Sequence, residues 1–187
     1  MKKTVLVFGI ASGLVSSTLM LLTLPFMHRI GYDRGLVVGY TGIVAAFLVV
    51  FFGIRSYREQ QTGGGLTFGR AFSVGILIVL ISCTFYVATW ELIYFKLSPN
   101  FIADWTAHAV ENARTSGASQ AKIDEIVRQM TEFKRIYDNP ASNAAVTFLE
   151  PFPIGLLVAL ISAAVLRRRP EVPDRSRAAP AASSAAR

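Results

Sequence analysis

Residues Ala71 to Phe95 read AFSVGILIVLISCTFYVATWELIYF, and this stretch decides the fold. Its one charged side chain, Glu91, lies near the end. Crossing the hydrocarbon of a bilayer takes about 20 helical residues, and this run is longer. Its apolar residues do not alternate as those of a barrel strand do. A backbone in lipid must also satisfy its own hydrogen bonds, which a helix does within one segment. The stretch therefore predicts a membrane-spanning helix.

Working outward, three more runs have the same character: Thr4 to Phe26, Gly35 to Ile54 and Ala144 to Leu166. The composition agrees. Of 187 residues 52% are apolar and 17% charged, against about 25% charged in an average soluble domain. Such a chain is too apolar to be disordered. Cys83 is its only cysteine, so it has no internal disulfide framework. The first run starts after Lys2 and Lys3 like a signal peptide, but it continues past Ser17 through Leu19, Leu21, Leu22 and Leu24. That exceeds the usual apolar core of a cleaved leader. The expected fold is all-α: an integral membrane four-helix bundle over residues 1–169. An extracytoplasmic helical hairpin joins spans three and four, and residues 170–187, rich in Ala, Pro, Ser and Arg, form a disordered cytoplasmic tail.

The net charge is +7. The basic residues flank apolar runs instead of lining a soluble face, which argues for membrane orientation and against nucleic-acid binding. Lys2, Lys3, Arg55, Arg58, Arg70 and Arg167 to Arg169 fall on one side if the N-terminus is cytoplasmic. The first outer loop then exposes only Arg29 and Arg34, and the bases of the long outer segment are nearly matched by acids. Both termini are expected inside. In the outer segment, Ser98-Pro99 predicts a helix start, Thr115-Ser116-Gly117 a break, and Ser119 to Tyr137 a second helix. Ile123, Ile126, Val127, Met130, Phe133 and Tyr137 form the apolar face of that helix. This hairpin packs on the bundle mouth or lies on lipid.

Two acids fall inside predicted spans, Glu91 and Glu150. A carboxylate there is costly and points to function with a named partner. At similar depth on adjacent helices they would share a proton. The plainer reading puts both near a membrane edge, reaching water or pairing with His28, Arg29 or Lys96. Glu150 precedes Pro151 and Pro153, which forbid a regular helix there. Either a spanning helix is broken at this point, as in transporter sites, or the helix starts at Pro151 with Asn143 to Leu149 as an approaching loop. The second reading is preferred.

Small residues recur every four positions: Gly9, Gly13 and Ser17; Gly35 and Gly39; Gly155, Ala159 and Ala163. Such stripes let helix backbones approach, here within one chain more plausibly than between copies. Trp90, Tyr94 and Trp105 are expected in an interfacial aromatic belt. Arg55, Arg58 and Arg70 flank a flexible Gly63-Gly64-Gly65 turn and are candidates for anionic headgroup contacts. No phosphate-loop ending, metal motif or nucleophile arrangement is present.

Several motifs carry a family resemblance: Phe52-Gly53-Ile54-Arg55-Ser56-Tyr57-Arg58, Gly63-Gly64-Gly65-Leu66-Thr67-Phe68-Gly69-Arg70-Ala71-Phe72, Tyr86 with Trp90, and Phe148-Leu149-Glu150-Pro151-Phe152-Pro153-Ile154-Gly155. Together they resemble the bacterial membrane-protein family catalogued as domain of unknown function 4199, over about residues 2–169. The resemblance implies a four-span inner-membrane protein with an outer helical insertion, and no activity or site residues. The functional expectation is a non-enzymatic accessory or interaction subunit in the lipid bilayer, with a membrane-protein partner or as a homo-oligomer, and without cofactor or metal. The alternative is a small proton- or cation-coupled transporter using Glu91 and Glu150.

Overall fold

The structure, a computed structural model, describes residues 1–26, 32–61 and 65–167. The expected tail at 170–187, Gly63 and Gly64 of the glycine turn, and His28, Arg29, Arg168 and Arg169 lie outside these residues. The described chain is an all-α membrane helical bundle without strands. Its helices are α1 (Lys2–Thr23), α2 (Tyr32–Glu59), α3 (Phe68–Leu92), α4 (Phe101–Thr115), α5 (Gln120–Tyr137), α6 (Pro140–Leu149) and α7 (Phe152–Leu166). Four segments are long and apolar enough to cross a membrane: Lys2–Phe26, Gly35–Glu59, Phe68–Leu97 and Pro140–Leu166. The chain is a multi-pass membrane protein.

The bundle is patterned in the reverse sense of a soluble one. On α1, Gly9, Ser12, Gly13 and Ser16 are buried, while Leu6, Val7, Ile10 and Leu14 are exposed. On α7, Gly155, Ala159, Ser162 and Ala163 are buried, while Leu157, Ile161 and Val165 are exposed. Lipid solvates large apolar side chains as well as a protein core does, so close approach through small residues holds such helices together. Central in this packing is α3, which contacts α1, α2, α6 and α7. A Cβ on Gly9 would meet Ile81 at 2.9 Å, and one on Gly13 would meet Phe85 at 2.6 Å. Ser17 completes the stripe with a 2.7 Å hydroxyl contact to Thr89. Gly155 faces Val79 and Phe47, and Ala159 faces Gly75. At the centre Ser12 donates to the Ala46 carbonyl at 2.9 Å and meets the Ser82 hydroxyl at 3.0 Å, tying three helices with a buried polar knot.

Several boundaries differ from expectation. α4 begins at Phe101 with Asn100 as N-cap, not at Ser98. The cause lies upstream: α3 runs on as a π turn, Ile93–Leu97, whose wide bond from the Ser98 amide to the Ile93 carbonyl takes up the residues that would have begun a new helix. α5 starts where its pattern indicates, with the Ser119 side chain accepting from the Lys122 amide. The segment Asn143 to Leu149 is helix, not an approaching loop. Asn139 caps it by accepting from the Ala141 and Ser142 amides, and Pro140 fills the first turn, where no amide donor is needed.

Trp90, Tyr94 and Trp105 pack against other rings. Trp90 stacks edge-on to Phe101, Tyr94 to Tyr137 and Trp105 to Phe133. Tyr94 is only 4% exposed. These rings, with Ile102 and Met130, form a second apolar cluster that fastens the α4–α5 hairpin to the bundle.

Candidate polar cavity

Glu150 occupies the joint between α6 and α7. The path stays helical through it, with φ −70° and ψ −57° at Glu150 and φ −80° and ψ −25° at Pro151. Pro151 and Pro153 have no amide hydrogen, so the carbonyls four residues earlier, at Thr147 and Leu149, lose their helical donors. The chain therefore keeps its direction while its hydrogen-bond ladder is interrupted around a carboxylate. Pro151 is buried and Pro153 exposed.

The carboxylate faces a cavity of about 500 Å³ at the hairpin end of the bundle. The Tyr86 hydroxyl donates to Glu150 Oε2 at 3.0 Å. The Tyr40 hydroxyl stands beside the same carboxylate. Tyr137, from the hairpin, also approaches, and burial together with the nearby Glu150 charge pushes its phenol pKa up. The walls come from the end of α1, the start of α2, the far half of α3, and α4 to α6. Among the described lining residues Glu150 is the one with a charged side chain. Exposed Leu36 and Tyr40 form a rim on α2. Gly39, also in the wall, has nothing within 4 Å of where a Cβ would stand, and Gly35 lies there too.

α6 is tethered to the end of α5. Asn143 is fully buried. Its amide donates to the Tyr137 carbonyl at 3.0 Å, and its oxygen accepts from the Thr147 hydroxyl at 3.0 Å. Nearby, Asp138 accepts from Lys134 Nζ at 2.6 Å and from the Tyr94 hydroxyl at 2.9 Å. Those bonds, with Lys134 the larger influence, hold the Asp138 carboxyl below the usual range. Together these contacts set where α6, and so Glu150, sits against α3.

Glu91 is elsewhere. It does not line the cavity, and its Oε1 is buried with no hydrogen-bond partner among the described residues. Glu150 is reached through Tyr86, five residues along α3 from Glu91, which is about 7.5 Å of helix rise. Among the described residues no hydrogen bond joins the two acids, and they do not share the cavity. Trp90, on the cavity wall, also keeps its Nε1–H buried without an acceptor among the described residues.

Arg55, Arg58 and Arg70 lie at the opposite end of the bundle, with Lys2, Lys3 and Arg167. Arg55 pairs with Glu59 at 2.9 Å on an exposed surface, and Arg70 is exposed. Among the described residues no group of three or more His, Cys, Asp or Glu is placed to hold a metal ion.

Residues 7–168 match the family described as "Protein of unknown function (DUF4199)". The chain belongs to this family. The match reaches from α1 past the end of α7, so the DUF4199 unit includes the whole bundle, the hairpin and the cavity. No curated protein and no solved structure matches the chain. In this DUF4199 protein the site residues that sequence reasoning missed are Tyr40 and Tyr86. A usable signal was present: Tyr86 and Trp90 are four apart, hence on one face of α3, and each has a polar atom inside an apolar span.

Proposed function

We propose that this DUF4199 protein is a non-enzymatic accessory protein of the bacterial inner membrane that binds a small molecule in the cavity at Glu150. The observation that carries this reading is a 500 Å³ space with largely apolar walls and one carboxylate at an interrupted helix. Ligand sites characteristically combine apolar walls with a few convergent polar groups. The rim at Leu36 and Tyr40 suits a molecule arriving from the bilayer. Clustering of Lys2, Lys3, Arg55, Arg58, Arg70 and Arg167 at the other end supports a cytoplasmic placement of both termini, with those bases on anionic headgroups. Reporter fusions after Lys96 and after Arg169 should then read outside and inside; the reverse pattern would overturn the orientation.

Native mass spectrometry in mild detergent tests the binding role. Wild type should carry a small bound mass that Gly39→Leu, which fills open space in the cavity wall, loses. Bare protein in both samples would contradict a binding role. A second protein retained at fixed stoichiometry in both would support an accessory subunit, or a homo-oligomer if its mass is that of the chain itself.

A cation-coupled carrier is the second reading, favoured by the broken helix alone. It rests on Glu150 without Glu91. Cation-driven flux in proteoliposomes that Glu150→Gln abolishes would support it, and absence of flux in wild type would remove it.

A further inference from the structure

We infer that the cavity takes an organic cation, an alkyl- or aryl-ammonium with an apolar body. This rests on the reading of the cavity as a binding site and adds the chemical class of its ligand. Among the described residues of the lining, Glu150 supplies one negative charge and none supplies a positive one. Its nearest polar neighbours, the Tyr86 and Tyr40 hydroxyls, are donors that hold the carboxylate without neutralising it. A carboxylate inside a membrane protein characteristically pairs with a cation.

Size and donor set then exclude a bare metal ion. A hard divalent cation needs six or more oxygen ligands at short range, and this cavity offers one carboxylate in a far larger space. An organic anion would meet Glu150 as a like charge. A neutral apolar molecule would leave the carboxylate desolvated and unpaired.

The walls supply what an ammonium group recognises. Tyr86, Trp90, Phe133 and Tyr137 line the space. The ring planes differ in direction: Trp90 stands at 89° to its neighbour Phe101, while Phe133 and Tyr137 are tilted at 34° to each other. Cations bind over aromatic faces, and boxes of them are used to recognise quaternary ammonium groups. Leu19, Met20, Leu36 and Leu149 provide the apolar surface for the rest of the molecule.

Trp90 and Trp105 are the two tryptophans of the chain and both line the cavity, so intrinsic fluorescence reports on occupancy. The probes are (4-phenylbutyl)trimethylammonium, its neutral carbon isostere 5,5-dimethylhexylbenzene, and the anion 5-phenylpentanoate. Each is titrated in the same neutral micelles, with partition into protein-free micelles subtracted. Wild type should bind the cation at least about tenfold more tightly than the isostere, a gain within reach of a desolvated cation–π and carboxylate contact, and the anion most weakly. Glu150→Gln should erase the preference for the cation, while Glu91→Gln keeps it. Equal binding of cation and isostere by wild type, or a preference surviving Glu150→Gln, would overturn the cation assignment while leaving the binding site standing. No saturable change with any probe would overturn the binding site itself. Should Glu150→Gln fail to fold, the order of the three probes on wild type decides alone.

Discussion

The two ends of the bundle are built from the same helices and packed in opposite ways. Toward the end carrying Lys2, Arg55 and Arg70, glycines inside the helices are sockets: Gly53 receives Ile78 and Phe8, and Gly75 receives Ile54 and Ala159, while Gly69, in the first turn of α3, has nothing within 4 Å. Core residues such as Val50, Val74, Ile78 and Ala159 are fully enclosed there. At the hairpin end Gly39 receives nothing, and the helices enclose a cavity with a carboxylate at its side. A small residue in a membrane helix thus has two uses. Opposite a large side chain it brings helices together, and opposite none it leaves room for something that is not protein.

The strongest way to break this comparison is to place one substitution at both ends. Gly53→Leu would drive a side chain into Ile78 and Phe8, which stand 2.5 and 3.0 Å from where even a Cβ would lie. Overpacking of this kind destabilises by about 1–3 kcal/mol or more, so folded yield and detergent melting temperature should drop sharply. Gly39→Leu should leave both nearly unchanged. If both variants melt alike, the contrast between sockets and open space is wrong.

A smaller effect is expected from Ser12→Ala, which removes the hydroxyl shared between the Ala46 carbonyl and Ser82. Interhelical hydrogen bonds in membranes are worth about 0.6 kcal/mol on average, so a modest fall in melting temperature should appear with no change in ligand binding. A loss of binding would mean the packed end controls the cavity.

The smallest effect concerns the hairpin joint. Asp138 has its folded pKa depressed by Lys134 and Tyr94. Its contribution is therefore present above the unfolded Asp value of about 3.9 and is lost as pH falls from there through the folded value. Tryptophan fluorescence should report loosening of the hairpin in that acid window. Asp138→Asn should weaken the joint at neutral pH by a few tenths of a kcal/mol and remove this acid step. An unchanged acid step in the variant would place its origin elsewhere.

The packed end was largely legible in the sequence, because it follows from local pattern. The stripe at Gly9, Gly13 and Ser17 lies on one face of any helix, and Ile81, Phe85 and Thr89, at the same spacing, lie opposite. Helix lengths followed from the apolar runs for the same reason. The hollow end was not legible. Whether Glu150 meets Glu91 or Tyr86 depends on the rotation of α6 against α3, which is set by Asn143, Tyr137 and Thr147 through contacts between elements. The ring packing of Trp90 and Tyr94 was not legible either. Their place near a span end is visible in the sequence, but the hairpin folding back to cover them is not. The helix through Asn143 to Leu149 was legible in principle, since Asn139-Pro140 is a cap followed by a first-turn proline.

Thiol accessibility tests the contrast most directly. In a Cys83→Ala background, Gly39→Cys and Ala159→Cys place one thiol at each end. Each is treated with 2-(trimethylammonio)ethyl methanethiosulfonate and, separately, with its sulfonatoethyl counterpart. A hollow, carboxylate-bearing end predicts that the thiol at position 39 reacts, faster with the cationic reagent, and that the thiol at position 159 reacts with neither. Equal reactivity at the two positions, or faster reaction of position 39 with the anionic reagent, would contradict it.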